Sequence, residues 1–141
     1  MNELNYEQRL SGWSAFRETL ELSDDPLQDV INYYNKIPTV SIQTDPYTPS
    51  TWPGPWELVN ENMYCDFCRV LGMCYSLQLT DRFSQEKFEI HIGIDNKRSK
   101  HYYLLVVGDR VLGFTHSTHE HVDKVLKDLE PQQIHHMPPL N

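Results

Sequence analysis

Two residue types capable of covalent chemistry stand out in the middle of the chain. Cys65 and Cys68 belong to the run YCDFCRVLG at 64–72, and His91 belongs to FEIHIGI at 88–94. The first run predicts a helix over about 64–71 that Gly72 ends. Cys65 then stands at the helix start, where unpaired amides and the helix dipole favour the thiolate that a cysteine nucleophile must supply. Met73, Tyr75, Leu77 and Leu79 alternate with Cys74, Ser76, Gln78 and Thr80, which predicts a half-buried strand after the glycine. Phe88, Ile90, Ile92 and Ile94 interleave with Glu89, His91, Gly93 and Asp95, placing His91 on the polar face of the next strand. This order would let a sheet present the imidazole, as a general base, to a cysteine on a packed helix. An acid that orients the ring would complete the site, and Asp109 and Asp95 are the available candidates. Each has a simpler explanation: Asp109 in a Gly-Asp turn, Asp95 at a strand end, Cys65 as a small buried hydrophobe and His91 as a solvated side chain.

The other clusters carry less. The CDFC pair has neither the preceding strand of a thioredoxin unit nor the second cysteine pair of a zinc site, so redox and metal roles are set aside. His116, His119 and His121 crowd one segment without a metal-ligand spacing, which favours solvated, capping or turn roles, and His135 and His136 lie near the end. No metal and no cofactor is expected. Cys65, Cys68 and Cys74 fall within ten residues, too close together for a disulfide framework, so free thiols are expected.

The elements that would position these residues follow from periodicity. Leu10, Trp13, Phe16 and Leu20 predict a helix over about 5–22. Asp24 and Asp25 before Pro26 start a second helix carrying Leu27, Val30, Ile31 and Tyr34, and Pro38 bounds it. Five prolines between Pro38 and Pro55 predict an irregular, stiff connector, which Trp52 and Trp56 should hold against the domain. YYLLVV at 102–107 reads as a central strand, with Gly108-Asp109 turning it into RVLGF. Ser117 and Glu120 suggest a capping box for a last helix bearing Val122, Val125, Leu126 and Leu129. The expected fold is therefore α+β: N-terminal helices and a Pro-rich connector, then a helix packed on a three- to four-stranded antiparallel sheet, and a C-terminal helix. Residues 1–130 form the single domain and 131–141 an irregular tail. At 141 residues and a net charge of −8, the chain suits one core and disfavours direct nucleic-acid binding. The polar start and the lack of a long apolar run point to a cytoplasmic protein with no membrane contact.

The stretch from Tyr64 to Phe114, through YCDFCRVLG and FEIHIGI, resembles the core of transglutaminase-like and related papain-like thiol proteins. That resemblance implies Cys65 as nucleophile, His91 as its base and Asp109 as the orienting acid. The fuller string WPGPWELVNENMYCDFCRVLGMCYSLQLTDRF, followed by YYLLVVGDRVLGF, resembles small proteins encoded by tailed bacteriophages. The expectation is a phage-encoded assembly or interaction protein, such as a virion structural component, on a thiol-protein scaffold. The alternatives are a cysteine-dependent hydrolase or acyltransferase using Cys65 and His91, and an acidic inhibitor of a host protein. Other phage proteins or a host protein are the expected partners, homo-oligomerisation being compatible with either, in the host cytoplasm or within the virion.

Overall fold

The computed structural model describes residues 4–140; Met1 to Glu3 of the expected domain and Asn141 of the expected tail lie outside them. The first half of the chain is helical. Helix α1 (Tyr6–Leu22) starts at Asn5, whose side chain accepts from the Gln8 amide at 2.8 Å while the Gln8 side chain accepts from the Asn5 amide at 3.0 Å. This reciprocal cap satisfies two amides that no helical carbonyl can reach. Helix α2 (Pro26–Asn35) begins as expected, with Asp25 as cap and proline in the first helical position. A short helix α3 (Pro55–Glu61) ends at Asn62, which takes the left-handed conformation at φ +52°. Helix α4 (Asp66–Gln78) follows. No helix among the described residues is long and apolar enough to cross a membrane.

Helix α4 corrects the sequence reading, because it passes through Gly72 and occupies the stretch expected as a strand. The alternation of Met73, Tyr75, Leu77 and Leu79 misled because it presumed that the intervening side chains face water. Instead Cys74, Ser76 and Gln78 are as buried as Met73, Tyr75 and Leu77. A helix enclosed on every side shows no polar stripe, so its period is hidden. The helices α1, α2 and α3 and the strands β1 and β2 of the sheet all pack against α4.

Gly72 is needed for close packing and does not end the helix. A Cβ built there would lie 2.5 and 2.7 Å from two atoms of the Tyr34 ring. The ring is pressed onto the helix backbone, and its hydroxyl lies 3.0 Å from Ser76 Oγ. Ser76 Oγ also accepts from Trp13 Nε1 at 2.8 Å and donates to the Gly72 carbonyl at 2.8 Å. With the serine proton committed to that carbonyl, Tyr34 must donate to Ser76. One buried hydroxyl thus joins α1, α2 and α4.

The second half is a five-stranded antiparallel sheet in the order β4-β3-β2-β1-β5, with β1 Phe88–Asp95, β2 Lys100–Val107, β3 Arg110–Leu112, β4 Glu120–His121 and β5 Glu130–Met137. Strand β2 is central and Gly108, at φ +59°, with Asp109 turns it into β3, as the sequence indicated. Phe88, Ile90, Leu105, Val107 and Leu112 face the helices, whereas Tyr102, Leu104, Val106 and Val111 form a second cluster on the other face with Val125 and Leu129. The α+β class stands, with one strand more than expected.

Two C-terminal expectations are corrected. Glu120 belongs to β4, so no Ser117 capping box forms; the last helix shortens to α5 (Val122–Val125) and one 3₁₀ turn, capped by His121, whose Nδ1 accepts from the Asp123 amide at 3.2 Å. The stretch expected as an irregular tail supplies β5, paired with β1 from Phe88↔Met137 to Ile94↔Glu130. Its signal is faint because its side chains are mostly exposed, with Met137 and then Leu140 reaching the main core.

The connector carries the short 3₁₀ turn Pro49–Thr51 and lies on the domain. Trp52 packs on Phe67 and His135, with ring centroids at 4.9 and 4.8 Å, and its Nε1 donates to the Asp45 carbonyl at 2.9 Å. Trp56 is less committed: it meets Trp13 edge-on at 5.5 Å but stays 48% exposed.

Replacing Ser76 with Ala should cost about 1–3 kcal/mol in urea denaturation, since Trp13 Nε1 and the Tyr34 hydroxyl lose their acceptor. Gly72→Ala should also destabilise, by about 1–3 kcal/mol of overpacking, a larger effect than the roughly 1 kcal/mol that alanine gains in helix propensity. Native protein should resist proteolysis between Pro38 and Pro55, and Trp52→Ala should open that segment to cleavage; rapid cleavage of the unaltered protein would show the connector to be loose.

Candidate functional site

The chain approaches α4 in a fixed conformation. Tyr64 pairs with Thr39 in a parallel bridge, and its carbonyl accepts from the Val40 amide at 3.0 Å. Cys65 then takes the extended geometry of a cap, φ −78° and ψ 174°, and its Sγ accepts from the Cys68 amide at 3.4 Å. One helical turn separates the two cysteines, so they share a face. Thr44 Oγ1 lies 3.2 Å from Cys68 Sγ.

These contacts divide the pair's protonation. Hydrogen bonding from Cys68, followed by that of the amides, outweighs burial and brings Cys65 down to about 5. The same thiol-thiol bond, followed by burial, pushes Cys68 well up. Burial alone raises Cys74. Of the two, Cys65 is the one favoured as thiolate. Access is the counterweight, because Cys65 is 1% and Cys68 2% exposed.

The structure does not bring His91 to this thiol. His91 stands opposite Leu104 in the β1–β2 register, and Leu104 belongs to the cluster on the face away from α4. Directly paired residues of antiparallel strands project to the same face, so the sheet itself stands between the imidazole and Cys65, which packs in the main core. His91 shares a face with Glu89 and not with Ile90, but that face carries the second apolar cluster and leaves the ring 12% exposed, while α4 covers the other face. His91 Nε2 pairs with Glu89 Oε1 at 2.8 Å, and Glu89 Oε2 reaches Nδ1 of His136, from the neighbouring β5, at 3.2 Å.

The acid candidates serve elsewhere. Asp109 is in the hairpin turn, its side chain 71% exposed and 3.4 Å from His121 Nε2. Asp95 accepts from the Lys97 and Arg98 amides at 3.0 and 3.3 Å, closing the turn between β1 and β2. A Cys65–His91–Asp109 constellation is therefore not assembled.

Sequence reasoning passed over Cys68 and Thr44 as partners of Cys65. The Cys-x-x-Cys spacing was a usable signal for the first, since residues three apart on a helix meet, but nothing local marks Thr44. His119 was also missed: its Nδ1 accepts from Arg110 Nε at 2.8 Å and its Nε2 donates to Asp25 at 3.0 Å. That ring ties the cap of α2 to β3. Among the described residues no group of three or more His, Cys, Asp or Glu side chains is placed to hold a metal ion. Comparison with protein-family models, curated proteins and solved structures finds no match to this chain.

A thiol depressed on folding stabilises the folded state fully above its unfolded value, about 8.5, and loses that contribution as pH falls toward the folded value. The stability of the protein relative to Cys65→Ser should therefore rise between pH of about 5 and about 8, as read by urea denaturation. The same comparison made in a His91→Ala background should give the same rise, whereas a profile altered by that change would restore a link between the two residues.

Proposed function

We propose that the chain works by binding, as an assembly or interaction protein, and that its contact surface is the outer edge of β5. The observation that carries this reading is the sheet order: β5 is an eight-residue edge strand with no strand on its outer side among the described residues. Alternate residues of such a strand direct amides and carbonyls outward, a template for an added strand. Natural edges are commonly blunted with lysine, proline or a bulge; Pro131 and the register shift opposite Ile92 and Gly93 do so at the start of β5, which leaves Gln133 to Met137 as the open stretch. Here EPQQIHHM contains neither Lys nor Arg, and Ile134 is 45% exposed.

The fitting occupant is an extended segment of a partner protein rich in Lys and Arg. With a net charge of −8, the chain attracts a cationic segment and repels an acidic one. In the setting suggested by the resemblance to tailed-bacteriophage proteins, that partner is another phage protein, within the virion or during its assembly, or a host protein. The hydrolase or acyltransferase alternative has little support, because the base assigned to the sulfur lies across the sheet and Asp109 lies in the hairpin turn, away from both.

Hydrogen exchange of the full chain with a synthetic peptide of alternating valine and lysine tests the proposal. Added protection should fall on β5 amides that point away from β1. It should weaken as salt rises from about 0.1 to about 1 M and the screening length falls from about 10 to about 3 Å. Protection absent from β5, or centred on another surface, would overturn the assignment.

A further inference from the structure

We propose that Cys65 and Cys68 form a dithiol site that closes reversibly to a disulfide by exchange with a small-molecule disulfide of the glutathione class. The proposal is independent of the β5 edge. It rests on three features of geometry. The cysteines are three residues apart across the start of a thirteen-residue helix. Cys65 Sγ is folded back over the first helical turn, where it accepts from the Cys68 amide at 3.4 Å. And an exposed segment reaches them, for Thr44 Oγ1 lies 3.2 Å from Cys68 Sγ within the connector stretch 41–47, where only Thr44 and Pro46 are even partly buried.

Exchange proceeds in two balanced steps. The Cys65 thiolate attacks one sulfur of R–S–S–R, the S–S bond breaks, and a mixed disulfide Cys65–S–S–R forms as R–S⁻ leaves. The leaving thiolate takes the proton of Cys68. Cys68, now a thiolate, attacks the Cys65 sulfur of the mixed disulfide and expels the second R–S⁻, which is protonated by water. Two protein sulfurs are oxidised and one small disulfide is reduced to two thiols. Lowering the Cys65 thiol toward about 5 raises its thiolate fraction at neutral pH, which favours it as the attacking sulfur. Cys74 has no place in this chemistry, being fully buried and raised by that burial.

Oxidation changes the contacts that hold the connector. A disulfide removes the thiolate that accepts from the Thr44, Phe67 and Cys68 amides. It also consumes the Cys68 thiol. The site therefore couples small-molecule redox state to the seating of the connector on the domain.

The test equilibrates the native full chain with mixtures of oxidised and reduced glutathione, followed by acid quench, alkylation and peptide mass analysis. A Cys65–Cys68 disulfide should accumulate while Cys74 stays a thiol and the far-ultraviolet circular dichroism stays that of the folded chain. Addition of excess reduced glutathione should reverse it. In Cys68→Ser a glutathione adduct should accumulate on Cys65, and in Cys65→Ser an adduct on Cys68 should form at least about tenfold more slowly. Three results would overturn the proposal: thiols that stay reduced throughout, oxidation seen only in unfolding concentrations of urea, or a disulfide that involves Cys74. Should Cys68→Ser fail to fold, the reversible disulfide in the unaltered chain still decides the matter.

Discussion

The Ser76 hydroxyl is the point on which the helical half depends. It accepts from Trp13 and Tyr34 and donates to the Gly72 carbonyl, so three helices are held in one relative arrangement by directional bonds as well as by apolar contact. A buried polar group of this kind is costly when any partner is missing and specific when all are present. Its geometry sets further requirements. Position 72 must lack a Cβ, because the Tyr34 ring occupies that space. Tyr34, pushed well up by burial, stays protonated and keeps donating. The seating of α2 through Tyr34 and of α1 through Trp13 then leaves one face of α4 for the sheet.

That face of α4 determines which chemistry the fold can support. A β-sheet is a partition: side chains at successive positions of one strand serve opposite environments. Glu89 and His91 fall on the side of the small helical cap, Ile90 and Phe88 on the side of α4. Once α4 packs against Ile90, Leu105 and Val107, His91 is directed away from the α4 cysteines. The cysteine instead finds its partners within its own helix start and in the connector folded over it, and the chemistry available changes from base-assisted nucleophilic attack to thiol-disulfide exchange.

The connector, the α1–α2 junction and the β3–β4 loop are each held to the domain by a polar anchor. Arg69 bonds the Ile37 carbonyl and Thr39 Oγ1, the second at 2.6 Å, and Arg82 Nη1 bonds the Leu20 and Ser23 carbonyls at 3.0 and 2.7 Å. His119 does the same for the start of α2. In each case a long or planar polar side chain reaches backbone carbonyls or a cap that regular secondary structure leaves unpaired. These contacts span 30 to 94 residues along the chain.

Local order was legible wherever a segment has one wet and one dry side. Helices α1 and α2, strand β1 and the Gly108-Asp109 hairpin follow from apolar period, capping residues and turn chemistry, because those signals report interactions within a few residues. The same rule explains the failures. Helix α4 is buried all round, so the alternating Met73, Tyr75, Leu77 and Leu79 imitated a strand; β5 is exposed along most of its length, so its sequence imitated a tail. Cys65 at a helix start was readable, since the cap is local, and the spacing to Cys68 was there to be read. Which face of β1 meets α4, and hence the separation of His91 from Cys65, was decided only by tertiary packing, for strand alternation tells which residues share a face but not which layer will cover it.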